Sequence, residues 1–345
     1  MASGGPARGK RSRVTLLDVA ELAGTSRSTA SRALSGTGYV AEHIKERVQA
    51  AADRLGYVPD VSARTLKGRS SGVIGLLVSD LRNQFYAELA AGVEHTLSSE
   101  GYQVVLVDDH GSAERAVDAA RAFLAMRADG VLIAPVGRGA TELLVEHGMP
   151  VTEVDRRSGV RGCDVVTIDS RAGARAAVDH LLALGHRAIG FVVDETFWDT
   201  GRDRLKGYRA ALRAAGVTAG RRHVLDLGHT ARPAQEEVWR FLDAEPTLTA
   251  VFAANNVVAE LVWLELKRRG VSVPDQYSLV CFDDLPWMRM VDPGVTAVRQ
   301  PVFAMGERAA GLLLERVRHG GGGRSASVVL EPELAVRDST SAPRG

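Results

Sequence analysis

The sequence holds only two cysteines in 345 residues, Cys163 and Cys281, far apart and each set in an apolar run. A disulfide-stapled scaffold is excluded. Reduced, buried thiols are expected, with one fixed disulfide as the alternative. No apolar run reaches the roughly 18–20 residues of a membrane span. The opening residues, MASGGPARGKRSR, lack the apolar segment of a secretory signal, so a soluble cytoplasmic protein with no membrane partner is expected. There is no G-x-G-x-x-G, no Walker loop and no His/Cys cluster at metal spacing, and therefore no expected cofactor or metal. One G-x-S-x-G match, Gly68–Gly72, leads into a strand, whereas the nucleophile elbow of hydrolases joins a strand to a helix. No enzyme is expected.

Net charge is also scarce, at +1, but it is unevenly placed. Residues 1–70 carry 12 Lys/Arg against 6 Asp/Glu, and the remainder carries 31 against 36. A basic head on an acidic body points to a polyanionic partner for the head alone. At this length and 45% hydrophobic content, two or three domains are expected.

Residues 1–13 read as a disordered basic tail, and 14–58 as three short helices. Thr15 caps the first helix, with Asp18 three residues on in a capping-box position and Gly24 at its end. Leu17, Ala20, Leu22 and Ala23 form its expected buried stripe. Ser26 caps the second helix, which turns Ala30, Ala33 and Leu34 inward and Arg27, Ser28, Ser31 and Arg32 outward. A helix, a short turn and a second helix presenting donors and cations near its N-terminus is the shape that reads base edges in a major groove. The third helix, about Glu42–Leu55, repeats Ile44, Val48, Ala51 and Leu55, and Gly56 closes it.

From Ser71 the pattern changes to apolar strands alternating with amphipathic helices. One series runs from GVIGLLVSD to PVTEVD. A second opens with CDVVTID and runs through AIGFVVD, VLDL and AVFAAN to SLVCFDD. A helix, PVFAMGERAAGLLLERVRHG, a glycine loop and a closing strand pair in VVLEPELAVRDS follow. Buried runs alternating with helices imply doubly wound parallel sheets in two lobes of an α/β body spanning 71–340. The first lobe is expected at about 71–170 and 301–326, the second at about 171–298 and 327–338. Ligands of such sheets sit at the carboxyl ends of the strands, here in the cleft between the lobes. Asp155, Asn255 and Asp283 end strands, and Arg204 opens the helix RLKGY. Carboxylates, an amide and a guanidinium grip vicinal hydroxyls or a nucleobase edge. Phe85, Tyr86 and Trp198 serve either core packing or stacking on a ligand. His180 and His186 fit helix-end packing.

The segment VTLLDVAELAGTSRSTASRAL, the IKERVQAAADRLGYVPDVSARTLK that follows, and GRSSGVIGLLVSD together resemble the start of a LacI/GalR-family transcriptional regulator, a similarity that continues to about Arg337. The resemblance implies an all-α helix-turn-helix domain joined by a hinge at 59–70 to a two-lobed, periplasmic-binding-protein-like body. It implies a homodimer on a palindromic double-stranded operator, most often as a repressor, controlled by a small-molecule effector such as a sugar or nucleoside. The DNA-facing set becomes Thr15, Ser26, Arg27, Ser28, Thr29, Ser31 and Arg32. Ala63 and Leu66 lie in the hinge, where the matching leucine wedges into the minor groove. The effector set becomes Phe85, Tyr86, Asp155, Trp198, Arg204, Asn255, Asp283 and Gln300, with His229 near a stacking position of some members. The chain departs from the family pattern at Ala41, Asp60 and Ser35 in the head, and at Asn256, Ser170 and Cys281 in the body. Asn256 and Ser170 are expected to alter polar groups near the cleft. The alternative class is a periplasmic sugar-binding transport protein, which would need an export signal and would not need the basic head.

Overall fold

The computed structural model describes residues 14–36, 38–57, 70–194, 196–218, 220–228, 235–321 and 323–344. The chain divides into two units, Met1–Ser71 and Gly72–Gly345.

In the first unit, α1 (Leu16–Leu22), α2 (Arg27–Ser35) and α3 (Glu42–Leu55) enclose a core of Val19, Ala20, Ala23, Ala30, Val48, Ala51 and Ala52. The stripe of α1 differs from the expected one: Leu17 and Leu22 are 52% and 45% exposed, and Val19 is fully buried. At 100° per residue, Leu16, Val19, Ala20 and Ala23 share one face, and positions 17 and 22 fall beside it. Thr15 and Asp18 form a reciprocal capping box, and Ser26 Oγ accepts from the Thr29 amide at 3.1 Å. Ala41 gives α3 no side-chain cap. Arg47, from α3, donates to the carbonyls of Ala23 and Gly24 and so pins the turn before α2. Gly24 turns there with φ +62°, a conformation L side chains avoid.

The second unit holds two six-stranded sheets. The first contains β1 (Val73–Val78), β2 (Gln103–Asp108), β3 (Gly130–Ile133), β4 (Val151–Val154) and β5 (Asp164–Ile168), packed with α4 (Gln84–Ser99), α5 (Ala113–Ala125) and α6 (Gly139–Glu146). The second contains β6 (Ile189–Val193), β7 (Val224–Asp226), β8 (Ala250–Ala253), β9 (Ser278–Phe282) and β10 (Thr296–Arg299). Its helices are α7 (Ser170–Ala183), α8 (Asp199–Ala214), α9 (Gln235–Ala244), α10 (Asn256–Arg268) and the one-turn α11 (Trp287–Met290). After β10 the chain returns through α12 (Val302–Arg318) to the first lobe, adds β11 (Ser327–Leu330) to its sheet, and crosses again to place β12 (Glu333–Ala335) in the second.

The two lobes repeat one arrangement. The strand orders are β11-β5-β4-β3-β1-β2 and β12-β10-β9-β8-β6-β7, parallel throughout except for β12, which runs antiparallel to β10. Leu76 at the centre of the first sheet faces Leu106 and Leu132 on its neighbours, and Phe252 at the centre of the second faces Phe191 and Val280.

CDVVTID, which opens the second series in the sequence, forms β5 and pairs with β4 and β11 in the first lobe's sheet, inside the 71–170 expected for that lobe. Two expectations are corrected. VVLEPELAVRDS is not a closing strand pair, because Glu331 and Pro332 carry the chain from one sheet to the other and residues 327–330 belong to the first lobe. The antiparallel β12 ends an otherwise parallel sheet, an edge where its pairing with β10 needs no crossover helix.

Candidate functional site

Two sets of side chains were anticipated, and they lie in different units. In the first, Arg27, Ser28 and Arg32 are exposed on α2, and Ser31 is half-buried. Ser26 Oγ lies within hydrogen-bonding reach of Ser28 Oγ (2.9 Å) and Thr29 Oγ1 (2.8 Å), so this serine serves the helix cap first. Thr15 donates through its amide and hydroxyl to Asp18 Oδ2 at 2.7 and 2.8 Å. Those bonds hold the exposed Asp18 carboxyl below its usual range. Arg32 Nε reaches back to the Ser28 carbonyl at 3.4 Å, which lays the guanidinium along the outer face of α2. Tyr39, after the helix, is 92% exposed and was not singled out from the sequence. Ala63, Leu66 and Asp60 lie outside the described residues, as does His229.

In the second unit a cleft of about 440 Å³ opens at the carboxyl ends of the strands, within the range of small-molecule sites. Phe85, Tyr86, Asp155, Trp198, Arg204, Asn255, Asp283 and Gln300 all line it. Asp155 follows β4, and Asp283 follows β9, the equivalent strand of the other lobe. Both have positive φ, +69° and +71°. Few non-glycine residues adopt that conformation, and here it ends each strand with a carboxylate at the cleft.

Arg204 does not open its helix. Trp198 is the N-cap of α8, and Arg204 lies in the second turn, buried. Its Nη1 donates to the Ala254 carbonyl at 2.8 Å, and its guanidinium lies 3.8 Å from the centre of the Phe282 ring. Asn255 caps α10 by accepting the Val258 amide at 2.9 Å, and its Nδ2 donates to Asp194 Oδ1 at 2.7 Å. Asp283 accepts the Asn256 amide at 3.1 Å and the Gln300 side-chain amide. Asn256 also bridges the lobes, donating through Nδ2 to Asn83 Oδ1 at 2.9 Å; that oxygen already caps α4 through the Phe85 amide. Ser170 does not line the cleft; it is buried in the first turn of α7, behind its cap Asp169.

Arg156 is a residue the sequence reading missed. Its guanidinium lies 3.1 Å from the centre of the Trp198 ring and donates to Tyr86 Oη at 2.8 Å and Ser79 Oγ at 3.3 Å. Its Nε stands 3.4 Å from Asp155 Oδ2. Trp198 and Tyr86 are thus bound to an arginine of the protein itself, an arrangement of the cation–π type. Asp194, at the end of β6, was also missed, although it ends AIGFVVD just as Asp155 ends PVTEVD.

Burial governs the electrostatics. It raises the Asp155 carboxyl, and Asp283 and Asp199 raise it further, against Arg156 and Arg204. Burial likewise raises Asp194 and Asp199. Asp109, after β2, is wholly buried; burial pushes its carboxyl from 3.8 up to about 6, and Oδ2 has no hydrogen-bond partner among the described residues. Its folded value lies above the unfolded one, so across that interval the native state holds a proton the unfolded chain has released. Stability then falls as pH rises from about 4 to about 6 and stays lower above it. Asp109→Asn should therefore gain up to about 3 kcal/mol at pH 7.5 and nothing at pH 4. Urea unfolding at the two pH values checks this, and an equal effect at both would refute it.

His186 lies among Thr249 Oγ1 (2.7 Å), Ser278 Oγ (3.0 Å) and the Ser341 carbonyl (2.8 Å), and His180 meets Thr340 Oγ1 at 2.9 Å. Both fasten the segment after β12, and burial lowers both. Cys163 and Cys281 are free and buried. Among the described residues no helix is long and apolar enough to cross a membrane, and no three His, Cys, Asp or Glu side chains group to hold a metal.

Comparison with known proteins joins the two units. Residues 15–60 match the model of bacterial regulatory proteins of the lacI family, and residues 178–340 that of a periplasmic binding protein-like domain. The chain is similar to the HTH-type transcriptional regulator CelR of Thermobifida fusca, with 34% identity over 340 residues, 96% of this chain and 99% of the relative. It is similar to the HTH-type transcriptional repressor PurR of Photobacterium profundum, 30% identical over 94% of this chain and 98% of the relative. A solved transcriptional regulator CelR–cellobiose complex superposes with a TM-score of 0.70 at 31% identity, over 95% of this chain and 100% of that one. These relatives are transcriptional regulators rather than enzymes, and the match over 15–60 sets aside the transport-protein alternative. The chain belongs to the LacI family of DNA-binding transcriptional regulators.

Proposed function

We propose that the protein is a cytoplasmic repressor that binds a palindromic operator as a homodimer and is controlled by a small polyhydroxylated effector in the cleft. Residues 14–58 form the DNA-binding module, 59–70 the hinge and 71–340 the effector-binding and dimerising body. Arg27, Ser28 and Arg32 are the base-reading candidates, since they are exposed polar side chains of α2. Arg27 suits the O6/N7 edge of guanine. Ala63 and Leu66 are assigned to the minor groove on the family resemblance.

The observation that carries the effector reading is the cleft itself. Asp155, Asp283 and Asn255 stand at strand ends around a buried Arg204, in a space sized for a mono- or disaccharide. Carboxylates and amides accept and donate to vicinal hydroxyls, and the guanidinium fixes orientation. The CelR relative in complex with cellobiose supports a saccharide class. The effector acts by binding two lobe arrangements unequally, and only that difference can shift operator affinity.

The test is fluorescence anisotropy of a labelled operator with the full chain, titrated with sugars and nucleosides. The effector should change operator affinity in the parent, and Arg204→Ala should reduce that change at least about tenfold, the loss of a charged hydrogen bond. An undiminished response in Arg204→Ala would overturn the cleft assignment.

A further inference from the structure

The charges of the cleft do not balance. Asp155, Asp194 and Asp283 enter it from strand ends, and two buried guanidiniums meet them. Each guanidinium is engaged by the protein itself. Arg156 is held by Trp198, Tyr86 and Asp155, and Arg204 by the Ala254 carbonyl and the Phe282 ring. At the rim, Arg82 and Asp80 pair at 3.0 Å and offset each other, and His110 lies 3.2 Å from Asp108. The three inner carboxyl groups outnumber the two inner guanidiniums by one.

Two further polar atoms of the lining residues lie enclosed without a partner among the described residues. Gln300 is 7% exposed; its Nε2 donates to Asp283, and its Oε1 has no donor among the described residues. Arg204 is 6% exposed, and its Nε has no acceptor among them. A buried polar atom without a partner is costly, and both atoms are enclosed here, so a ligand reaches them only if the lobes shift. Arg156 shows which kind of donor this lining holds well: a cation, against an aromatic face, a phenol and a carboxylate. Because Arg156 already covers that face of Trp198, a ligand ring cannot stack there, and recognition shifts toward charge.

We propose that the effector carries a protonated amine beside its hydroxyls, an amino sugar or amino polyol, and that Asp194 is the partner of the ammonium. The proposal rests on the effector reading above and narrows it. Asp194 is half-buried and lines the cleft, and its Oδ1 is fixed by Asn255 at 2.7 Å. The Asn255 contact orients the carboxylate, and the ammonium cancels the unbalanced charge. An anionic sugar would add to it. Burial raises the carboxyls of Asp155 and Asp194, against the pull of Arg156 and Arg204, and a cation placed beside Asp194 would favour its charged form.

Matched pairs test this on the full chain: D-glucosamine against D-glucose and D-galactosamine against D-galactose, with D-glucuronate as the anion. Thermal melting and operator anisotropy are read at a pH where the amine is protonated. At least one amino sugar should bind about tenfold more tightly than its hydroxyl parent, the gain of a charged over a neutral hydrogen bond. In Asp194→Asn the ratio within that pair should fall toward one. Parent sugars binding as tightly as their amines, or glucuronate binding best, would overturn the amine while leaving the cleft reading intact. A tenfold preference that survives in Asp194→Asn would overturn the assignment of Asp194. If no compound of any charge stabilises the chain or moves operator affinity, the effector reading itself falls, and the amine with it.

Discussion

Gly92→Ala should lower the melting temperature of the body by about 10 °C, the equivalent of roughly 3 kcal/mol or more, although alanine is the better helix former by about 1 kcal/mol. Gly92 lies in α4 where it crosses α12, and a Cβ there would be driven into the Phe303 carbonyl oxygen, with Glu307 N at 3.2 Å. The opposing position is Gly306, whose own Cβ would meet the Leu89 carbonyl and lie 2.9 Å from Val93 N. Glycine faces glycine, and the two backbones touch. Neither neighbour can yield, because both are helix backbone. A Cβ added at Gly311, further along α12, would meet nothing within 4 Å. Gly311→Ala should therefore stabilise by up to about 1 kcal/mol. The same substitution in the same crossing pair of helices should thus have opposite signs. Thermal denaturation of both variants checks it, and a neutral Gly92→Ala would refute the close approach.

Arg316→Ala should cost about 3–5 kcal/mol, the penalty for stranding a buried charge. Arg316 Nε and Nη2 meet the two oxygens of Asp164 at 2.8 and 2.6 Å, and Nη1 donates to the carbonyls of Gly162 and Gly321 at 3.3 and 3.2 Å. Both side chains are almost fully buried, at 6% exposure for Arg316 and 5% for Asp164. Asp164 Oδ1 also accepts the Ala326 amide at 2.7 Å. The pair thereby ties the start of β5, the end of α12 and the approach to β11. Chemical denaturation of Arg316→Ala, Asp164→Ala and the double variant should show a double loss smaller than the sum of the single ones. Additive losses would mean that the two side chains act separately.

Much of this was legible from the sequence, for a physical reason. A strand buried on both faces is an apolar run, and the polar residue that ends it marks the carboxyl edge of the sheet. That rule brought Asp155, Asn255 and Asp283 to the cleft. Applied evenly, it would also have brought Asp194, which ends its run in the same way. Arg156 was out of reach of the rule. A charged residue after a strand end reads as solvated, and its burial depends on Trp198, which the other lobe supplies. In α1 the larger Leu17 and Leu22 are exposed and Val19 is buried, because the 100° step between residues, not side-chain size, selects the inward face. The paths of β11 and β12 were hidden because a two-residue connection, Glu331–Pro332, looks the same whether it turns a hairpin or changes lobes.

Those crossings bear on how the protein is made. Sheet order places β11 beside β5 and β12 beside β10, so each lobe is finished by a strand that follows α12 in the chain. A ribosome that has delivered everything up to β10 has delivered neither lobe in full. The first still lacks α12 and β11, and the second lacks β12 and the segment clasped by His180 and His186. Synthesis proceeds at about 5–20 residues per second, and domains commonly fold as they emerge. Here that habit is blocked: both lobes wait for the same closing stretch after β10 and then complete together. Until that stretch emerges, both sheets keep an open edge, whereas the first helices have a core drawn entirely from their own segment.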